Sequence, residues 1–257
     1  MFLTHALSEI LKVSKKVTGS AAAHGLLIPI WVSKWCGLIE VRGTIPSQRP
    51  AANEGILLIA NHPSLVETIA LPALLSPWRW DIADTKLPYS VADSRLFGRH
   101  SEWLYEHFRC IAVHRHELSS AGKSLKTART CMQILTKHGL LIVYPKGGRT
   151  SKGDQWHQHG PRKVRSCNPT LVKMAQRTNA TIIPVWISHG DSTKPQSLLQ
   201  GYCKLFFQEK MVVTFGSPVT FSSPEVTDLE VATALLQAAP PDRNYSTRHR
   251  NVLGGFL

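Results

Sequence analysis

A chain of 257 residues is long enough to bury a full core, and 43% hydrophobic with 18% charged residues excludes a disordered or fibrous polymer. The charge is lopsided: 30 Lys+Arg against 17 Asp+Glu gives +13, which favours nucleic acid, an anionic membrane surface or a phosphorylated substrate without choosing among them. Cys36, Cys110, Cys131, Cys167 and Cys203 form no C-x-x-C pair, so neither a zinc ribbon nor a disulfide framework is indicated, and a reducing compartment is the simpler reading.

Residues 1–40 predict a helical segment of their own. "THALSEILKVSKKV" sets Leu7, Ile10, Leu11 and Val17 near one face, with Lys12, Lys15 and Lys16 away from its centre. "SAAAHGLLIPIWVSKWCGLI" follows, apolar but broken by His24, Pro29 and Lys34, and so short of an uninterrupted span of about 20 residues. No small-residue cleavage site marks a signal peptide. A basic, Trp-bearing segment lying in a bilayer interface is expected; the alternative is a helix pair packed on the domain.

Residues 41–239 alternate short apolar runs with helical patterns. Strands are predicted at Ile56–Ala60, Cys110–Val113, Leu140–Tyr144, Thr181–Ile187 and Met211–Phe215. Helices are predicted at Leu65–Leu75, Ala92–His107, Leu118–Lys137, Pro169–Thr178 and Pro224–Ala238. Such alternation makes an α/β domain with a mostly parallel sheet flanked by helices, whose ligands gather beyond the carboxyl ends of the strands. Residues 240–257 read as a basic tail.

Four stretches carry candidate chemistry. In "LLIANHPSLVETIALP" an apolar strand stops at Asn61-His62-Pro63, and Glu67 follows His62 by five. Positions five apart on one continuous helix do not face each other, but they meet if Pro63 opens the helix and His62 stands before it. Glu67 can then hold one imidazole nitrogen and leave the other as a general base; the bland alternative is a capping His62 and a solvated Glu67. "FRCIAVHRH" delivers Arg115 past a strand end, where it is either a ligand group or an exposed helix-start arginine. "LLIVYPKGGRTSKGD" sets Lys146, Gly147, Gly148 and Arg149 in one turn: glycines admit close backbone approach and Arg149 can grip a phosphate by two parallel hydrogen bonds, unless the turn is merely solvated. It is not a Walker A loop. In "ATIIPVWI", Pro184 inside a strand pattern points to an edge or a bulge beside a binding groove, or simply to a core strand. The histidine doublets His114/His116 and His157/His159 lack acidic or cysteine partners at ligand spacing, so no metal is expected.

In order and spacing these stretches resemble the four blocks of the glycerolipid acyltransferase superfamily, which includes the bacterial lysophosphatidic acid acyltransferases. "NHPSLVE" resembles the N-H-x4-D block, "CIAVHR" the block ending in a substrate-binding Arg, "YPKGGRTSKG" the F-P-E-G-T-R block and "IIPVWI" the closing proline block; "VTFGSPV" is similar to the short strand after them. The resemblance runs from Val41 to Val219. It implies transfer of a fatty acyl group from acyl-CoA or acyl carrier protein, as co-substrate with no further cofactor, to the hydroxyl of a lysophospholipid. His62 would be the base and Glu67 its orienting carboxylate. Arg115, Lys146, Gly147, Gly148, Arg149 and Pro184 would line the acceptor site. The expected acceptor is 1-acylglycerol-3-phosphate, giving phosphatidic acid in phospholipid biosynthesis.

Three departures stand out: Glu67 for the usual Asp, Lys146 for Glu and Gly148 for Thr. The reversed charge at Lys146 also admits another lysolipid, such as an amino-acid-bearing one, or a non-catalytic lipid or nucleic-acid binder on the same scaffold. No nucleic-acid module appears, so the expected partner is an anionic membrane, met peripherally on its cytoplasmic face.

Overall fold

The computed structural model describes residues 25, 27–46, 54–63, 66–76, 87–93, 108–113, 121–145, 156–159, 162–188, 203, 205–206, 210–223 and 225–240. Helix α1 (27–35) leads into strand β1 (Ile39–Arg42). There follow β2 (Ile56–Ala60), α2 (Glu67–Leu75), β3 (Tyr89–Asp93), β4 (Cys110–Val113), α3 (Ala121–Thr136) and β5 (Leu140–Val143). A hairpin of β6 (Trp156–His159) and β7 (Arg162–Arg165) precedes α4 (Thr170–Arg177), β8 (Thr181–Ser188), β9 (Met211–Phe215) and α5 (Asp228–Ala238).

The strand ILLIA explains why β2 is central. Every residue in it is buried, because both faces of this sheet are covered and both edges of the strand are paired. The seven-stranded sheet has the order β1-β9-β8-β2-β5-β3-β4. All its neighbours run parallel except β8 and β9, so β9 and β1 point opposite to the other five. β6 and β7 pair antiparallel as a separate two-stranded sheet.

Alternation along each strand splits the core in two. On one face Leu58, Ala60, Ile142, Val185 and Val213 pack against Leu27 and Ile30 of α1 and Val66 to Leu75 at α2. On the other, Leu57, Ile59, Leu141, Val143 and Trp186 meet Leu135 of α3, Val172 and Ala175 of α4, Leu235 of α5 and Val164 of the hairpin. Gly55 allows the closest approach at the start of β2: a Cβ there would stand 2.2 Å from the Leu135 carbonyl oxygen.

Five predicted strands are present, β5 one residue shorter and β8 one longer than expected. The helix predicted from Ala92 is corrected at its start, because Ala92 and Asp93 belong to β3, paired with Ala112 and Val113 of β4; residues 94–107 lie outside the described residues. Of the N-terminal segment, residues 1–24 also lie outside them. The described remainder, α1, packs on the domain: Leu27, Ile30 and Ser33 are buried, and Trp31 Nε1 donates to the Ala73 carbonyl at 3.0 Å. Its other side leaves Ile28, Val32 and Trp35 exposed. β1 spans the boundary expected between residues 40 and 41. Among the described residues no helix is long and apolar enough to cross a membrane.

Candidate active site

β2 ends at Ala60, and the next residue finishes the strand with a side chain. The buried Asn61 amide donates through Nδ2 to the Ile187 carbonyl at 2.9 Å, and its Oδ1 accepts from the Ile187 N–H at 2.6 Å. A carboxamide has one donor side and one acceptor side, as a peptide does, so Asn61 extends the β2–β8 ladder beyond its last backbone pair, Ala60 with Val185. His62 therefore leaves a fixed point, not a free strand end.

α2 starts at Glu67, placing that carboxylate in the first turn, where the partial positive charge of a helix N-terminus favours it. Glu67 Oε1 lies 2.5 Å from His62 Nδ1, with the Glu67 side chain fully buried and that of His62 11% exposed. The meeting expected from the spacing occurs, with one correction: His62 precedes the helix, but Glu67 opens it and Pro63 stays outside. Nε2 is the ring nitrogen turned away from the carboxylate, so the tautomer with a proton on Nδ1 keeps Nε2 as an acceptor.

The parity of β5 puts Tyr144 on the same face as Ala60. Its ring stacks on the imidazole with centroids 4.7 Å apart and planes 29° from parallel. The Tyr144 hydroxyl donates to the Glu67 main-chain carbonyl at 3.1 Å. Burial first, and then the neighbouring Glu67 carboxylate, push its ionisation well above the usual tyrosine range, so it stays a neutral donor. Cys110 comes from β4, 3.2 Å from Ser90 Oγ of β3, its thiol pushed up to about 11 by burial.

The other expected site residues divide. β4 ends at Val113, two residues before Arg115, and β5 is followed by Tyr144, Pro145 and then Lys146. Arg115, Lys146, Gly147, Gly148 and Arg149 lie outside the described residues. Residues 146–167 depart from and return to one point, since the Asn168 N–H donates to the Pro145 carbonyl at 2.8 Å. The hairpin within this excursion is fastened to α5: Asp228 Oδ2 accepts from Ser166 Oγ at 2.8 Å and lies 3.2 Å from His157 Nε2.

Pro184 is not brought to His62. It sits in an internal strand, on the face of α5, where a Cβ on Gly216 would come within 2.9 Å of its ring and 3.1 Å of the Ala238 methyl. Its missing N–H leaves no gap in the ladder because the partner strand bulges there: the Gly216 N–H reaches the Pro184 carbonyl and the Val219 N–H reaches that of Ile182, three residues against two. The bulge thus lies on β9, opposite the proline rather than at it.

Asn61 and Tyr144 were not singled out from the sequence. Asn61 carried a signal, an amide at the end of a buried strand, and Tyr144 another, an aromatic whose parity matches Ala60. Among the described residues no group of three or more His, Cys, Asp or Glu side chains could hold a metal.

A protein-family model described as Acyltransferase matches residues 39–188, from β1 to the end of β8 and more than half of the chain. No curated protein gives a significant match. Among solved structures, the chain is similar to the 1-acyl-sn-glycerophosphate (LPA) acyltransferase PlsC from Thermotoga maritima, with 16% identity over 82% of this chain and 77% of that one, at a TM-score of 0.49. With blocks and family model agreeing on the same stretch, the chain belongs to the acyltransferase family.

Proposed function

We propose that this acyltransferase moves a fatty acyl group from a thioester, on CoA or acyl carrier protein, to the free hydroxyl of a lysophospholipid. The preferred acceptor is 1-acylglycerol-3-phosphate and the product phosphatidic acid. One observation carries the reading: a buried carboxylate holds one nitrogen of an imidazole, and that imidazole stands at the carboxyl ends of parallel strands. His62 Nε2 takes the proton from the acceptor hydroxyl as its oxygen attacks the thioester carbonyl. Glu67 stabilises the imidazolium that forms. When the tetrahedral intermediate collapses, the C–S bond breaks and the proton passes from His62 to the departing thiolate.

Arg115, Lys146 and Arg149, with the Gly147–Gly148 backbone, are the proposed grip on the acceptor phosphate; the support is their charge and their sequence positions just past β4 and β5. Lys146, where the family block has Glu, adds a cation to that grip. The +13 charge and the exposed Ile28, Val32 and Trp35 of α1 support a peripheral seat on an anionic, cytoplasmic leaflet, where a basic surface and an interfacial Trp gain most. The test is a matrix of acyl-CoA and acyl carrier protein donors against lysophosphatidic acid and other lysolipids, run beside His62→Ala. Loss of about 10²–10⁴-fold in rate is expected for that variant. Equal turnover by the two proteins would remove the base assignment, and a preferred acceptor without a terminal phosphate would remove the acceptor assignment.

A further inference from the structure

The imidazole of His62 is held from two sides. Oε1 of Glu67 meets its edge at Nδ1, 2.5 Å away, and the ring of Tyr144 lies along its flat side at 4.7 Å between centroids. A single hydrogen bond leaves a ring free to pivot about the N···O line; an aromatic face beside it blocks that pivot. The same face presents π-electron density to the imidazolium that proton abstraction creates. Tyr144 then touches the acid as well, because its hydroxyl donates to the Glu67 carbonyl at 3.1 Å. Residue 62 follows β2, residue 67 opens α2 and residue 144 follows β5, so three separate stretches lock one another in a closed triangle.

Two departures from the family blocks meet in that triangle. The first block's Asp is Glu67 here, one methylene longer, and the third block's Phe is Tyr144, with an added hydroxyl. The hydroxyl is bonded to the very residue that carries the longer acid. A longer side chain has one more torsion to fix, and tethering its main chain to the residue stacked on the imidazole restricts where the carboxylate can go.

We propose that Tyr144 is a positioning residue for acyl transfer, its ring holding the His62 imidazole in register with Glu67 and its hydroxyl anchoring the first turn of α2. This rests on the reading of His62 as the general base. The role calls for steady-state kinetics of the full chain with the donor and lysolipid that the matrix above identifies, for Tyr144→Leu, Tyr144→Phe, His62→Ala and the double variant Tyr144→Leu/His62→Ala. Tyr144→Leu should lower kcat by about ten-fold, the sum of a lost stack and a lost cation–π contact, while both KM values stay within about two-fold. Tyr144→Phe restores the ring and should recover most of that loss. In the His62→Ala background Tyr144→Leu should change the residual rate no further, because the ring then has no imidazole to act on.

An unchanged kcat in Tyr144→Leu overturns the proposal, as does a rise in KM alone, which marks a substrate contact. Equal losses in both backgrounds overturn it too, since they mark a merely structural role. If Tyr144→Leu fails to fold by circular dichroism, Tyr144→Met supplies the ringless comparison. The failures are separable. Full activity of His62→Ala removes the base and with it this inference, whereas loss in His62→Ala beside full activity in Tyr144→Leu removes the inference alone.

Discussion

Shortening the acid at position 67 by one methylene, to the family's own Asp, is the most exacting probe of the His62–Glu67 relay. Glu67 Oε1 lies 2.5 Å from His62 Nδ1, and its side chain is wholly buried in the first turn of α2. One carbon–carbon bond spans about 1.5 Å, so Glu67→Asp with an unmoved main chain opens the gap to roughly 3.5–4 Å, at or beyond hydrogen-bonding range. The main chain is not free to follow, because the Glu67 carbonyl is tied to the Tyr144 hydroxyl and α2 is buried along nearly its whole length. A charge-assisted hydrogen bond contributes about 1.5–3 kcal/mol, and losing it from the transition state slows turnover by about 10- to 150-fold. The assay is kcat for acyl transfer to the preferred lysolipid, with KM measured for both substrates and Tm for each variant. Glu67→Gln, which keeps the length but not the charge, should lose at least as much. Wild-type kcat in Glu67→Asp, with an unaltered melting temperature, would refute the geometry set out for the relay.

Three other outcomes are expected. Asn61→Ala strands both the N–H and the carbonyl of Ile187 in a buried setting and should cost about 2–4 kcal/mol in denaturant unfolding; a change under about 1 kcal/mol would contradict the ladder-extending role. On edge strand β1, hydrogen bonds from Arg42 and then Lys210 pull Glu40 down from 4.5 to about 2. A carboxylate held lower in the folded state than in the unfolded one stabilises fully above about pH 4.5 and loses that contribution as pH falls towards 2. With the pair partly solvated, Glu40→Gln should remove about 0.5–1 kcal/mol of that acid-range slope, and an identical stability–pH curve would dismiss the linkage. Ile28→Ser with Trp35→Ser should weaken sedimentation with anionic vesicles about ten-fold or more at unchanged Tm; unchanged binding would remove α1 from the membrane contact.

The sheet was legible wherever a strand is buried on both faces. ILLIA, LLIV and TIIPVWIS read as strands because nothing polar interrupts them. β3 was hidden because YSVAD ends in Ala and Asp, residues that equally begin a helix, and its strand character comes from pairing with β4 and β5. The hairpin WHQH/RKVR carries no apolar alternation beyond Val164; a cross-strand ladder and the anchor on Asp228 hold it instead. At the site, the spacing sufficed to foresee the meeting of His62 and Glu67, although the helix opens at Glu67 and not at Pro63. What no local pattern conveys is which side chains arrive from elsewhere. Tyr144 reaches the imidazole only because β5 lies beside β2, and Asn61 finds Ile187 only because β8 lies on the other side. Pro184 has a related explanation, since a bulge on β9 lets a proline occupy an interior strand.

The single hydrogen bond from Asn168 to the Pro145 carbonyl closes the stretch 146–167 at its base. The hairpin inside that stretch is held by Val164 in the core and by Asp228 of α5, so changes of length belong outside those anchors, where doubling such a loop adds only about 0.6 kcal/mol of closure entropy. In sequence, Lys146 and Arg149 fall inside that stretch, whereas His62, Glu67 and Asn61 fall outside it. On the proposed reading, headgroup choice and proton transfer therefore sit in parts of the chain that can vary independently of each other.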